Sequence, residues 1–190
     1  MWTARSPSAT YSNGRVENYT YDAVGNLLTF QSGTTTHTYT YGNSDWFDQL
    51  TAVDGVTLTY DAIGNPLSYY NGISYTMTWT EGRKLAAVTT EEGTINYLYN
   101  ADGLRFKKTN PDGSYVIYLA TDGVIIGEKH YTSANVLTMN LRYTFDENGL
   151  VCGYSTSTDG ATWTDYYFIR NLQGDVLQVF RESDNVIVAE

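Results

Sequence analysis

Cysteine is nearly absent from this sequence of 190 residues, since Cys152 is the only one. One cysteine cannot form an internal disulfide, and a metal site built from several cysteines is excluded as well. Proline occurs only 3 times, which excludes a proline-rich disordered chain. The length is enough for one domain with a sizeable core, and we expect a single domain over residues 1–190.

Basic residues are also scarce. The chain has 11 Lys and Arg against 21 Asp and Glu, a net charge of −10, and its basic residues do not cluster. Nucleic-acid binding needs a basic surface, so we predict no nucleic-acid partner. No apolar run approaches ~20 residues, so no membrane-spanning helix is predicted. Residues 1–11 lack the apolar core of a signal peptide, and we interpret residues 1–14 as an irregular lead-in to a piece of something longer.

Tyr, Thr, Val and Gly dominate the chain instead, with 18 Tyr and 17 Gly. This is the composition of strands and turns. A ten-residue unit, Y-T-Y-D-A-V-G-N-L-L at Tyr19–Leu28, returns as L-T-Y-D-A-I-G-N-P-L at Leu58–Leu67. Looser copies lie at Tyr97–Phe106 and Phe168–Leu177.

Each unit predicts a β-hairpin with its turn in the middle. Tyr19 and Tyr21 are two residues apart and therefore share one face of a strand. Asp22 has a short side chain that can accept hydrogen bonds from backbone groups of the turn. Gly25 supplies a positive φ at little steric cost, and Asn26 tolerates strained geometry nearby.

The aromatic residue before each turn returns at intervals of 19 or 20 residues up to Tyr118, and the next two equivalent positions, Phe145 and Arg170, follow after 27 and 25 residues. Such self-similarity is typical of a repeat array. A second, more variable class of turn alternates with the first, including the hairpin signal Asn71-Gly72. We therefore predict an all-β fold, an antiparallel meander of about fourteen to seventeen strands forming a long curved strip. The other turns of the second class are Gln31–Thr36, Glu91–Thr94, Asn110–Ser114, Thr132–Asn135, Thr156–Thr162 and Glu182–Asn185.

A strip of this length needs a partner for its faces and edges. An open sheet rarely exceeds ~10 strands without curling or splitting, so the strip must wrap, pack or pair. Asn185–Glu190 is predicted to be a strand at the end of the strip. An exposed edge of this kind favours pairing with flanking sequence or self-association.

The acids in the turns are candidates either for turn capping or for calcium binding. A calcium loop brings several carboxylates together in a short span. Each turn here carries one acid, as at Asp22, Asp61 and Asp175. We favour capping, keep calcium as the alternative, and predict no cofactor.

Aromatic side chains could instead stack sugars. Trp46, Phe47 and Trp163 lie near predicted loops and are the candidate ligand-binding residues. Tyrosines spaced two apart on strands are interpreted as packing against cross-strand neighbours.

Residues for catalysis do not form a recognisable set. His37 and His130 are the only histidines and lie far apart in sequence, whereas a zinc site needs about three or four ligands. Cys152 is interpreted as a small buried residue. Adjacent carboxylates occur on turns at Glu91-Glu92 and Asp146-Glu147, but a glycosidase needs two carboxylates across a cleft. We therefore predict that the chain is not an enzyme.

The repeats resemble those of a known family. Y-T-Y-D-A-V-G-N and L-T-Y-D-A-I-G-N are similar to the YD repeat of the Rhs and teneurin families. The stretch F-I-R-N-L-Q-G-D-V-L-Q-V-F at Phe168–Phe180 resembles the start of the Rhs repeat-associated core, so residues 166–190 are assigned to a core-like region. The resemblance covers most of Tyr19–Glu190.

This resemblance implies that the hairpins form a β-strip that spirals into a hollow shell. In bacterial members the shell encloses a variable C-terminal toxin, and in other members it is part of a cell-surface protein. Transferred residue by residue, the resemblance implies structural roles for the repeat positions. These are Tyr21, Asp22, Gly25, Asn26, Tyr60, Asp61, Gly64, Asn65, Tyr99, Asn100, Gly103, Asn171, Gly174 and Asp175.

The chain is too short to close a shell, and the self-cleavage motif and toxin that follow the core in the family do not occur in it. We therefore expect a non-enzymatic structural segment of a bacterial secreted or cell-surface protein, with flanking repeats or a C-terminal effector domain as partners. The alternative is a module that binds carbohydrate or a cell surface through exposed aromatic residues. Local function is expected where the pattern is interrupted, at Gly42–Leu50 and in the two widened repeats after Tyr118.

Overall fold

The computed structural model describes residues 7–190, which fold into two antiparallel sheets of six and twelve strands. In both sheets the strands follow chain order, and none of the described residues is helical. The predicted all-β antiparallel meander is confirmed. The eighteen strands exceed the expected number because short strands such as β5 (Ala52–Val53) and β6 (Val56–Thr57) lie beside the irregular loop.

The contacts of the chain divide it into two compact units, which we describe separately. The first extends to Arg83 and includes Thr89–Glu91, and the second contains Lys84–Val88 and Glu92–Glu190. The sequence predicted one domain over residues 1–190.

The first unit contains the six-stranded sheet and one further antiparallel pair of strands. Its first strand lies inside the stretch interpreted as an irregular lead-in, because Ala9 pairs with Glu17 of the next strand. The irregular stretch is therefore shorter than residues 1–14, and residues 1–6 lie outside the described residues. The strands are β1 (Ser8–Thr10), β2 (Val16–Tyr21), β3 (Leu27–Ser32), β4 (Thr35–Thr40), β5, β6, β7 (Ser68–Tyr70) and β8 (Ser74–Thr80).

The second unit contains longer strands joined by short turns. The first widened interval, from Tyr118 to Phe145, contains strands of 8 and 9 residues. The second, from Phe145 to Arg170, contains two strands of 7 residues joined by the six-residue connection 158–163. The strands are β9 (Lys84–Thr90, whose last two residues belong to the first unit), β10 (Gly93–Tyr99), β11 (Arg105–Thr109), β12 (Tyr115–Thr121), β13 (Val124–Tyr131), β14 (Leu137–Phe145), β15 (Val151–Ser157), β16 (Thr164–Arg170), β17 (Val176–Arg181) and β18 (Val186–Ala189).

One five-residue turn, here called the repeat turn, connects many of these strands. The N–H of its first residue donates to the carbonyl of its fifth, and the N–H of its fourth donates to the carbonyl of its first. The fourth residue has a positive φ, which favours glycine. The turn begins at Tyr11, Asp22, Asp61, Asn100, Asn110, Thr132, Asp146 and Asn171.

The repeat turn also occurs at two places that the sequence analysis assigned to the second, more variable class of turn. Asn110–Ser114 and Thr132–Asn135 have the same hydrogen bonds as the turn at Asp22. Asn135 occupies the fourth position with a φ of 63°, because asparagine tolerates the left-handed region better than most residues. The division into two turn classes was therefore wrong at these two places.

Aromatic residues pair directly across neighbouring strands. Tyr19 lies opposite Phe30 on the adjacent strand, with ring centroids 5.3 Å apart. Tyr115 lies opposite Tyr131 with centroids 4.8 Å apart, and stacked rings at this distance stabilise a sheet beyond their buried area. Further opposed pairs are Tyr154 with Tyr166 and Tyr167 with Phe180.

Few side chains in the described part of the chain are buried. The buried apolar residues there are Val53, Leu58 and Val116. Most strand residues are half-buried instead, which explains why the aromatic pairs carry so much of the packing. Residues 7–190 also contain no helix long and apolar enough to cross a membrane.

Candidate functional site

The acid of the first repeat turn is bonded to its own turn. Asp22 Oδ1 accepts hydrogen bonds from the N–H groups of Val24, Gly25 and Asn26 at 3.0, 2.7 and 2.8 Å. Desolvation opposes ionisation of Asp22, but the bonds donated by Asn26, Gly25 and Val24 outweigh it and hold the pKa of the carboxyl below its ordinary value. The geometry is that of a turn cap, the role favoured from the sequence.

Asn26 has a different role from the one expected. Its backbone is not in the left-handed region; instead, its side-chain Nδ2 donates to Asp22 Oδ2 at 2.8 Å and to the carbonyl of Phe47 at 3.0 Å. Asn65 repeats this arrangement, with bonds to Asp61 Oδ2 at 2.8 Å and to the carbonyl of Gly82 at 2.6 Å. The asparagine therefore ties each of these turns to a later segment of the chain.

The other repeat positions form similar local contacts. The hydroxyl groups of Tyr60 and Tyr99 donate to the carbonyls of Leu50 and Leu85. Tyr21 pairs with Leu27 across the first hairpin. Asn100 Oδ1 accepts from the N–H of Leu104, and Asn171 Nδ2 donates to Asp175 Oδ2. The fourth turn positions Gly25, Gly64, Gly103 and Gly174 all have positive φ.

The irregular loop Gly42–Leu50 is where the first unit departs from its repeats. No strand occurs in this loop, as predicted. Asn43 Oδ1 accepts from the N–H groups of Asp45 and Trp46 at 2.9 and 3.1 Å, and Gln49 donates its N–H to the carbonyl of Trp46 at 2.9 Å. The loop therefore has a defined conformation held by its own polar groups.

Trp46 and Phe47 lie on this loop with different surroundings. The Trp46 side chain is 47% exposed and rests against Gly64, whereas Phe47 is 70% exposed. Trp46 thus combines a packing contact with a free surface, and Phe47 contributes mainly its backbone carbonyl to the fold.

Trp46 lines a shallow depression of about 500 Å³ in the first unit. The size falls within the range of small-molecule sites, ~300–1,000 Å³. Buried Leu58 and half-buried Tyr60 contribute its apolar part. Its polar lining is formed by Asn43, Asp45, Gln49, Thr51 and Asp61.

Trp163, the third candidate, lies in a different setting in the second unit. The guanidinium carbon of Arg142 lies 3.8 Å from the centroid of its ring. A cation over the ring face occupies the surface that a sugar would need. The structure thus places Trp46 and Phe47 on one loop of the first unit, and Trp163 belongs to the second unit.

The side chains of the two histidines and the cysteine each form one local hydrogen bond. His37 Nδ1 lies 2.8 Å from Asp54 Oδ2, and His130 Nε2 lies 2.8 Å from Glu128 Oε2. The Cys152 thiol is half-buried and donates to the carbonyl of Thr144. Within residues 7–190, no three side chains of His, Cys, Asp or Glu lie together as metal ligands.

Comparisons with known proteins find similarity among solved structures alone. No family model matches the chain, and no curated protein matches it. The crystal structure of TcdB2-TccC3 without its hypervariable C-terminal region is 12% identical with a TM-score of 0.40, and that of TcdB2-TccC3-Cdc42 is 14% identical with a TM-score of 0.32. Each match covers 92% of this chain and 11% of the other. The chain therefore spans a small part of these proteins, and likenesses this distant carry no argument about its function.

Proposed function

We propose that the chain is a non-enzymatic structural segment of a larger β-sheet protein of the Rhs and YD-repeat type that its repeats resemble. In this role it forms part of a wall that encloses or presents a C-terminal effector domain. The bacterial origin and the secreted or cell-surface location belong to the same proposal and rest on the resemblance of the repeats.

The observation that carries this proposal is how little of the chain is buried. Among residues 7–190, the buried apolar residues are Val53, Leu58 and Val116, and no large side chain is fully buried. Apolar side chains such as Val24, Phe47 and Leu172 are more than two-thirds exposed. A core this small supports a chain whose core is completed by further polypeptide.

The recurrence of the repeat turn supports the same role. In repeat proteins each unit buries its apolar face against its neighbours, so stability grows by adding units. The Asn26 and Asn65 side chains, which bond to Phe47 and Gly82, connect a turn to a later chain segment in this way. A longer array would extend these contacts in both chain directions.

The last strand supports pairing with flanking sequence. All four residues of β18 are exposed, and the strand reads V-I-V-A without a charged residue or proline. Charges and proline are the usual protection of a sheet edge against pairing. The composition of β18 favours a further strand beside it, from a flanking repeat.

Electron microscopy of the full product of the gene that encodes these residues tests the proposal. An extended β-shell around a separate density is the expected result. Compact particles without such a shell would contradict it. A hydrolase screen of the chain, with Cys152→Ala as control, tests the non-enzymatic part, since an activity lost in that variant would overturn it.

A second candidate function is binding of carbohydrate or of another cell-surface molecule. The observation that favours it is the half-exposed Trp46 on a loop held by its own hydrogen bonds. Binding of the chain to intact cells and to a glycan array, compared with Trp46→Ala and Trp163→Ala, is the test. Binding that is lost only with Trp46→Ala would support this function.

A further inference from the structure

The depression beside Trp46 has the features of a carbohydrate subsite, and we propose that it binds one neutral sugar ring. This inference rests on the second candidate function and gives it a place and a ligand class. The residues within 7–190 that line the depression belong to the first unit, between Asn43 and Ala62.

Trp46 supplies the stacking surface. Its Cζ3 and Cη2 atoms lie against Gly64, where a side chain would leave no room for the ring. The ring is therefore held in place while 47% of the residue stays exposed. An aromatic face fixed in this way offers the apolar C–H face of a sugar a large contact area at a low cost in side-chain entropy.

Asp45 and Gln49 supply complementary polar groups. The carboxylate of Asp45 lines the depression and has no hydrogen-bond partner among residues 7–190, so it is available to accept from sugar hydroxyls. Gln49 uses its Oε1 to accept from Asn43 Nδ2, which leaves its own side-chain NH₂ group to donate. Sugar hydroxyls both donate and accept hydrogen bonds, so the Asp45 carboxylate can accept from them and the Gln49 amide can donate to them.

The charge of the lining selects against acidic sugars. Asp45 and Asp61 line the depression, and none of the lining residues within 7–190 is Lys or Arg. The chain as a whole carries a net charge of −10. A uronic or sialic acid would meet like charges at this place, whereas a neutral hexose or N-acetylhexosamine would not.

The loop is organised before any ligand arrives. Asn43 holds the backbone of Asp45 and Trp46, and Asn26 of the preceding repeat turn holds the carbonyl of Phe47. A loop fixed in its binding conformation loses little entropy on binding. This contrasts with an exposed tryptophan on a free loop, which would have to be ordered by its ligand.

Titration of the full chain with neutral tetrasaccharides tests the inference. The probes are cellotetraose, maltotetraose, mannotetraose and chitotetraose, with sialyllactose and choline as charged comparisons, measured by saturation-transfer NMR and calorimetry. We expect at least one neutral probe to bind, and Trp46→Ala and Asp45→Ala each to weaken it by about tenfold or more. Phe47→Ala is the matched control, since Phe47 is more exposed than Trp46 and does not line the depression, and its affinity should stay within about twofold.

The outcomes separate the inference from the function on which it rests. Binding of sialyllactose or choline that depends on Trp46, without binding of a neutral probe, overturns the neutral-sugar inference and keeps the surface-binding function. No Trp46-dependent binding of any probe, array glycan or cell overturns both. Equal losses with Phe47→Ala and Trp46→Ala overturn the assignment to this depression. Asp45→Ala removes a side chain without internal bonds, so its result stands even where Trp46→Ala lowers stability.

Discussion

The indole ring of Trp46 lies directly against the α-carbon of Gly64. A β-carbon added to Gly64 would lie 2.5 Å from Cζ3 and 2.8 Å from Cη2 of the ring. Gly64 is also the fourth residue of its repeat turn, with a φ of +85°. The positive φ of the turn favours glycine at this position, and the nearby Trp46 ring leaves no room for a β-carbon, so one residue links the repeat turn to the irregular loop.

Gly64→Ala is therefore expected to destabilise the chain more than the same change elsewhere. Gly149 holds the same turn position with a φ of +78°, and an added β-carbon there meets nothing within 4 Å. Gly149→Ala should lower the free energy of unfolding by about 1–2 kcal/mol, the cost of a left-handed alanine. Gly64→Ala should lower the free energy of unfolding by more than this, because the added methyl group also clashes with the Trp46 ring. Urea unfolding of both variants measures the difference.

The background variant Trp46→Ala provides the control for this comparison. With the ring removed, Gly64→Ala and Gly149→Ala should cost the same, and the double-mutant cycle isolates the contact. Equal costs in the wild-type background would show that the ring does not press on Gly64.

Asn65→Ala is expected to destabilise the first unit because it removes the buried donor of two hydrogen bonds. Asn65 is 3% exposed, and its Nδ2 donates to Asp61 Oδ2 and to the carbonyl of Gly82. Losing such a buried partner costs about 1–3 kcal/mol in the free energy of unfolding. Asn18, which is exposed and donates to Gln31 Oε1 at 3.3 Å, is the matched control. Asn18→Ala should change stability by at most about 0.5 kcal/mol, and an equal effect of both variants would contradict the role of Asn65.

Much of the fold follows from local sequence, because the repeat turn is formed by five consecutive residues. Asp22 and Gly25 each have one dominant property, an acceptor side chain and a permitted positive φ, and both could be predicted. The same turn at Thr132 was assigned to another class because its fourth residue is Asn135 instead of glycine. All eight repeat turns have a fourth residue with positive φ, and seven of them begin with Asp, Asn or Thr, the exception being the turn at Tyr11. The turns at Asn110 and Asn171 follow Thr109 and Arg170, so an aromatic residue before the turn is not required.

The candidate site follows from sequence only in part, because its contacts join distant residues. Trp46 was a candidate because it interrupts the repeat, but its contact with Gly64 spans eighteen positions and has no local signal. The sequence predicted a role for Asn26 from the conformational tolerance of its backbone. In the structure its side-chain amide donates to the backbone carbonyl of Phe47, twenty-one residues later. The recurrence of asparagine after the glycine, at Asn26 and Asn65, was the signal that could have indicated this side-chain role.

The hydrogen bonds of Asp159 predict that the stability of the second unit falls in acid. Its Oδ1 accepts from the N–H groups of Thr162 and Ala161, both at 2.8 Å, and from the Ser157 hydroxyl at 2.9 Å. These bonds lower the pKa of Asp159 from 3.8 to about 2. Because the folded-state pKa lies below the unfolded one, the contribution of Asp159 is complete above about pH 4 and is lost as the pH falls towards about 2.

Urea unfolding of wild type and Asp159→Asn between neutral pH and pH 2 measures this contribution. The wild type should be the more stable at neutral pH, and the difference between the two should shrink as the pH falls below about 4. Ser157→Ala removes one donor while keeping the carboxylate, so the folded-state pKa of Asp159 should rise and the loss should be smaller and complete at a higher pH than in the wild type. If the difference in the free energy of unfolding between the wild type and Asp159→Asn does not change with pH, the turn does not stabilise the ionised form of Asp159.

Exposure of β18 predicts that the isolated chain associates with itself through this edge. The strand pairs with β17 on one side, where Phe180 lies opposite Ile187, and all four of its residues are exposed. We expect sedimentation to show a mass that rises with concentration. Ile187→Lys should suppress this rise, because a lysine on an edge strand opposes pairing. Val136→Lys places the same charge on a residue of the turn between β13 and β14 that is 58% exposed, against 44% for Ile187. This control should associate like the wild type, and a wild-type chain that stays monomeric at every concentration would refute pairing through the edge.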